Sequence, residues 1–198
     1  MTTFFTADTH FGHEAIIGML HRPFGSVDEM DEAMIANWNA VVGPKDDVWH
    51  LGDFAYRAHP ASILQLYRRL NGRKRLVIGN HDKKPTLALP WMEPPAHRAF
   101  PRLEDGARVV LDHYAGRTWM GAHHGVVQLF GHSHGRMPGN SQSLDVGVDC
   151  WNFRPAAWDE IKVRLATLPP FRPVDHDPEE GIEADARPAE AVSSGPLP

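Results

Sequence analysis

Short apolar runs that end abruptly in Asp, Asn or His recur along this chain. Residues 2–7, TTFFTA, predict a first strand and pass directly into Asp8-Thr9-His10. Val48 to Leu51 leads to Gly52-Asp53, and Arg75 to Ile78 leads to Gly79-Asn80-His81-Asp82. Ala107 to Leu111 precedes His113, and Val127 to Phe130 precedes Gly131-His132-Ser133-His134. Runs of this length, bounded by turn residues, read as buried strands. Placing titratable groups at strand ends does nothing for a core. It suits a site at the carboxyl ends of a sheet, where open α/β folds bind ligands.

Between the strands the period changes. EAIIGML at 14–20 predicts a short helix, followed by a loop punctuated by Pro23 and Gly25. Ser26 reads as an N-cap with Glu29 closing a capping box. Met30, Met34, Trp38 and Val41 follow at helical spacing until Gly43-Pro44. Pro60 opens another helix with Leu64, Tyr67 and Leu70 on one side, stopped by Asn71-Gly72. Residues 83–100 are Pro-rich and receive no assignment. Residues 144–149 alternate as a half-buried strand does, and Ile161 to Leu165 reads as a last strand. Strands alternating with helices early, and short connections later, predict α/β layers with mixed sheets.

Composition adjusts this picture in a few places. Of the 198 residues, those from Phe171 onward hold seven acids and two bases, so the formal net charge of -5 belongs to that tail. The rest is formally neutral, with no overall basic field to recommend nucleic acid as the favoured substrate. Beyond Leu168 the chain has few large apolar groups, and residues 169–198 are expected to form an acidic, Pro-rich, disordered tail after a domain spanning 1–168. Cys150 is the only cysteine, which excludes an intrachain disulfide and a thiolate metal cluster. No run is long enough for a membrane span, and with Met1 running straight into a strand no signal peptide is expected. A cytoplasmic protein is expected. Histidine is the unusual count, at thirteen.

A lone Asp or His at a strand end is usually a turn or cap residue. The ordered set D-x-H, G-D, G-N-H-D, H and G-H-x-H is far more specific. It resembles the calcineurin-like metallophosphoesterase superfamily over residues 2–165, in its short, stand-alone, bacterial-type form. The resemblance implies a four-layer αββα sandwich of two mixed β-sheets flanked by helices, with the site on loops along one edge. It implies a first divalent cation held by Asp8, His10, Asp53 and His134, and a second held by Asp53, Asn80, His113 and His132, with Asp53 bridging. Oxygen and imidazole donors without thiolate suit Mn2+, Fe2+/Fe3+ or Zn2+. Hydrolysis would use water activated between the cations. His81 would donate a proton to the departing oxygen, and Asp82 would orient His81 by hydrogen bonding.

The segment after the first ligand pair could overhang the metals, which makes Arg22 and His13 candidates for a substrate phosphate. His50 reads as structural, within its strand. A small phosphate ester is the expected partner: a phosphodiester first, a phosphomonoester second. A nuclease or a non-catalytic metal-binding scaffold is a remoter alternative. The protein-phosphatase branch fits poorly. Phe54-Ala55-Tyr56-Arg57-Ala58 after Gly52-Asp53 lacks that branch's acid and final glycine, and Asp82 stands where it has Glu. Oligomeric state is left open.

Overall fold

The computed structural model describes residues 1–56 and 59–172. Strands β1 (Thr3–Thr6), β2 (Asp47–His50), β3 (Arg73–Leu76) and β8 (Ala156–Ala157) form one sheet in the order β3-β2-β1-β8. Strands β4 (Arg98–Ala99), β5 (Val109–Asp112), β6 (Val127–Phe130) and β7 (Ser143–Asp145) form a second, in the order β4-β5-β6-β7. Each sheet has three parallel strands and one antiparallel edge strand. Helices α1 (Glu14–Leu20), α2 (Val27–Val41), α3 (Pro60–Arg69), α4 (Lys84–Leu87) and α5 (Trp158–Leu165) complete the α/β sandwich.

The period of two along β1 separates two cores. Phe4 faces the helices, packing with Met30, Met34 and Trp38 of α2 and Ile63 and Tyr67 of α3. Phe5 points the other way, into a core shared with Leu111, Leu129 and Leu144 of the second sheet. The outer side of the second sheet carries a smaller cluster of Val110, Trp119, Ala122 and Val126. The sheets are stitched together at the site end. Ala7, just past β1, forms a parallel bridge to Gly147, just past β7, and Val148 N–H donates to the Ala7 carbonyl at 3.0 Å.

Ser26 caps α2 by accepting from Glu29 N–H at 3.2 Å. The box closes differently from expectation, because the Glu29 carboxylate takes the Gly25 N–H at 2.7 Å. The expected strand over Ile161 to Leu165 is corrected to a helix. That run is apolar at both the strand and the helix period, and Trp158 decides between them. Trp158, Ile161 and Leu165 are buried on one helical face, while Val163 is 70% exposed. The unassigned stretch holds α4 and β4. The alternating run at 144–149 is strand only through Asp145, and Val148–Cys150 form a 3-10 turn.

The chain also stays on the domain beyond Leu168. Ser141 N–H donates to the Pro169 carbonyl at 2.8 Å, and the Phe171 ring lies 4.7 Å from that of Trp119. Pro169 and Phe171, just past the expected boundary at 168, thus contact the domain, Phe171 through its apolar ring. Residues 173–198 lie outside the described residues. Phe171→Ala is expected to cost about 1–2 kcal/mol, from lost apolar burial and one aromatic pair. Urea unfolding reads this directly, and an unchanged midpoint would show that the ring contributes nothing.

Candidate metal centre

Parallel pairing brings the ends of β1, β2 and β3 to one edge, and the ends of β5 and β6 arrive opposite them. The chain must turn sharply at each end. Asp8, His10, Asp53, His132 and His134 all adopt positive φ, between 48° and 65°. That left-handed region is uncommon for residues other than glycine, though Asp and His tolerate it better than most. Two glycines make the close approach possible. A Cβ on Gly79 would collide with the Asp53 carboxylate, and one on Gly52 would lie 2.5 Å from His113 Nδ1.

Two groups of side chains result. Asp8, His10 and His134 converge in one, and Asp53, His113 and His132 in the other, with the donor atoms of each group within 4.8 Å of one another. The groups meet at Asp53, whose Oδ2 lies 3.6 Å from His10 Nε2 and 3.5 Å from His113 Nε2. Asn80 joins the second group, its Oδ1 lying 3.0 Å from His113 Nε2. The first group is largely buried, whereas Asn80 and His132 of the second are exposed.

These residues fit cations better than they fit one another. Both carboxylate oxygens of Asp8 and both ring nitrogens of His10 are buried without a hydrogen-bond partner. Leaving such groups unpaired is costly, and buried charges normally pair or coordinate metal. Burial, against the pull of His134 and His113, leaves the Asp8 carboxyl up at about 7, and burial, against the pull of Asp53, leaves the His10 ring down at about 3. Burial also opposes the charge on Asp53, but His113 and the His81 amide outweigh it and hold the carboxyl at about 2. The same pairing, working against desolvation, raises His113 to about 9.

The remaining candidates fall into place around this core. His81 is half-buried, its backbone N–H fixed on Asp53 Oδ1 at 2.8 Å and its ring 5.4 Å from that of His10. Asp82 accepts from the backbone N–H groups of Asp53, Phe54 and Gly79 at 2.9, 3.0 and 2.8 Å. Its carboxylate thus ties the β2 loop to the β3 loop, in place of the expected bond to the His81 side chain. His13 is buried and stacks on Tyr56 at 3.8 Å, with its ring 5.4 Å from His10. Buried His50 donates to Thr9 Oγ1 at 3.0 Å, since the single Thr9 hydroxyl proton goes to the Phe54 carbonyl at 2.7 Å.

Arg22 is corrected from a substrate contact to a buried support. Its guanidinium forks onto Asp149 with two bonds of 2.8 Å and donates to the carbonyls of Asp8 at 2.8 Å and Thr9 at 3.1 Å. Asp149 Oδ2 also accepts from His134 Nδ1 at 2.8 Å, which leaves His134 Nε2 to face the first group. Sequence reasoning missed Asp149, and likewise Asp145, which accepts from Ser133 Oγ at 2.6 Å and Gly135 N–H at 2.9 Å. Their signal was present: two acids in an otherwise apolar alternating run.

With this geometry, comparison with known proteins becomes specific. The calcineurin-like phosphoesterase profile matches residues 1–115, more than half of the chain. The chain belongs to the calcineurin-like phosphoesterase family. The matched span carries Asp8, His10, Asp53, Asn80 and His113, and the fold adds His132 and His134 from beyond it. An uncharacterized protein of Methanocaldococcus jannaschii, MJ1445, is 31% identical over 164 residues, covering 78% of this chain and 86% of its own. The Gene 66 protein of Mycobacterium phage D29 is 30% identical over 209 residues, covering 90% and 98%. A solved structure, of a protein of unknown function AQ665 from Aquifex aeolicus, shares the fold with a TM-score of 0.65 at 24% identity. That likeness covers 82% of this chain and 98% of the other. Among the described residues, no helix is long and apolar enough to cross a membrane.

Removing Arg22 strips the buried Asp149 of its cation and frees two carbonyls beside Asp8. Arg22→Ala is therefore expected to cost about 3–5 kcal/mol, the usual penalty for breaking a buried pair from one side. It is also expected to lower metal content at the first group, read by elemental analysis. A variant as stable and as fully metallated as the parent would show that the support is dispensable.

Proposed function

We propose that the protein hydrolyses a small phosphate ester, a phosphodiester in preference to a monoester, with two divalent cations drawn from Mn2+, iron or Zn2+. The observation that carries this reading is Asp53 Oδ2, set almost equally far from His10 and His113. One carboxylate oxygen facing two donor groups suits a shared ligand between adjacent cations. Cations bound there supply charge neutralisation for the phosphate and lower the pKa of water.

The chain's own residues do the rest. Asp8, His10 and His134 hold one side, and Asn80, His113 and His132 hold the other, with Asp53 between. Family membership and the unpartnered Asp8 and His10 atoms support this division of ligands. His81 is the proton carrier for the departing oxygen. Its backbone is pinned to Asp53, and its ring leans on Tyr56 at 5.1 Å, so it stands beside the ligands without being needed among them. Asp82 serves His81 indirectly, by fixing the loop that carries it. The preference for a diester draws support from the exposed Asn80 and His132, which leave space for a second ester group on the open side.

A panel of p-nitrophenyl mono- and diesters and cyclic nucleotides, assayed with added Mn2+, tests the reading. Turnover is expected, with diesters ahead, and no hydrolysis of any member would overturn it. Asp53→Asn is expected to lower occupancy of both sites, and two full metals by elemental analysis would remove Asp53 as the bridge. His81→Ala is expected to keep both metals yet lose about 10²–10⁴-fold in kcat on alkyl or nucleoside esters, and much less on p-nitrophenyl esters. An equal loss across leaving groups would assign His81 to positioning phosphate instead.

A further inference from the structure

A cavity of about 300 Å³ opens beside the centre, and His81 forms part of its wall. Its other walls come from two places. Ala55 and Tyr56 continue the β2 loop, with Ile63 behind them on α3, and Lys83, Pro85 and Thr86 enter and begin α4. Ala55, Ile63 and Thr86 are each no more than 3% exposed, so this part of the wall belongs to the packed interior, while Tyr56, His81 and Pro85 are half-buried and Lys83 is exposed. Tyr56 is held on one face by His13 at 3.8 Å and meets the edge of His81. The backbone beneath it is also fixed, since Tyr56 N–H donates to the Phe11 carbonyl at 3.0 Å.

The chemistry of this lining is one-sided. Ala55, Ile63, Pro85 and the Tyr56 ring supply apolar surface, and His81, Lys83 and Thr86 supply the polar groups. Among the described residues no carboxylate lines the cavity. The Lys83 ammonium anchors on the Asn80 carbonyl at 2.8 Å, which uses one of its three protons and holds a positive charge beside the phosphate position. Ligand pockets share this composition, mostly apolar with a few placed polar groups, and a volume near 300 Å³ is at the small end of their range. There is room for one ring-sized group and not for a length of polymer.

We infer that this cavity receives the ester group on the His81 side of the phosphate, and that the group it takes is a single flat, uncharged, apolar ring. The inference rests on the phosphoesterase reading for where phosphate sits. It adds that selection among esters is made by the walls of Ala55, Tyr56, Ile63 and Pro85. A ring seated there would lie next to the imidazole that protonates its oxygen, so one cavity would couple choice of ester to departure of the leaving group. Because Ala55, Ile63 and Thr86 are already packed and Tyr56 is held by His13, little is lost in ordering them on binding.

Binding of non-hydrolysable phosphonates to the full, Mn2+-loaded protein tests this without turnover. Phenylphosphonate is expected to bind roughly tenfold or more tightly than methylphosphonate, the discrimination that a fitted apolar pocket gives. Pro85→Trp, which adds bulk to the lining, should bring the two to parity while leaving methylphosphonate affinity and metal content unchanged. Ala55→Leu, filling from the segment after β2, should do the same and serves if the first variant misfolds. Equal affinity in the parent protein, failure of either phosphonate to bind, or a phenyl preference that survives both fillings would overturn the cavity assignment. A phenyl preference abolished by filling, in a protein that hydrolyses no ester, would uphold the cavity and sink the phosphoesterase reading instead.

Discussion

The centre depends on backbone held in a conformation that it would not choose. Five of its side chains stand on left-handed residues, Asp8, His10, Asp53, His132 and His134. Each such position costs on the order of 1–3 kcal/mol unless its surroundings determine it. Here they do so by crossing from loop to loop. Asp8 N–H donates to the Gly52 carbonyl and His10 N–H to the Asp53 carbonyl, both at 3.0 Å, while Gly131 N–H donates to the His113 carbonyl at 3.1 Å. No loop is fixed by its own bonds alone, so the ligand set exists only when all the strand ends are in place.

Three carboxylates, Asp82 and Asp145 buried and Asp149 half-buried, extend this mutual support. Asp82 gathers three N–H groups from the β2 and β3 loops, and Asp145 holds the loop between His132 and Gly135. Asp149 joins His134 to Arg22, which also donates to the carbonyls of Asp8 and Thr9. The two halves of the first group, one from each sheet, are therefore connected beneath by a single ion pair. The exposed fraction of that pair's side chains is 0% for Arg22 and 13% for Asp149, so solvent screens it little.

Much of this was legible in the sequence, and the reason is physical. Strand ends that carry Asp, His and Asn where a core needs nothing polar announce their purpose one by one, and their order announces the family. Helix starts were equally plain at Ser26 and Pro60. What remained hidden were relations across the chain. Arg22 sits 127 residues from Asp149, and nothing local distinguishes a guanidinium aimed at substrate from one buried under the ligands. Asp145 and Asp149 were masked by the alternation that surrounds them. The helix at Trp158–Leu165 was misread because Val163 mimics the strand period, and only packing reveals that it faces water.

The bridge from Ala7 to Gly147 gives the sandwich an open and a closed end. At the closed end the two sheets share main-chain bonds, and the ligands straddle that seam. A second bridge, Val77 to Ala96, ties the end of β3 to the segment entering β4, and between these links the sheets meet through side chains, Phe5 against Leu111, Leu129 and Leu144. The thickness of that filling sets the angle at which the sheets meet, as a wedge sets the angle of two boards hinged along one edge. A change of side-chain volume between the sheets would thus bear on the spacing of the strands that end in His10 and His134. The interior filling and the metal geometry are one mechanical problem, and the residues between the sheets belong to the function as much as those along the seam.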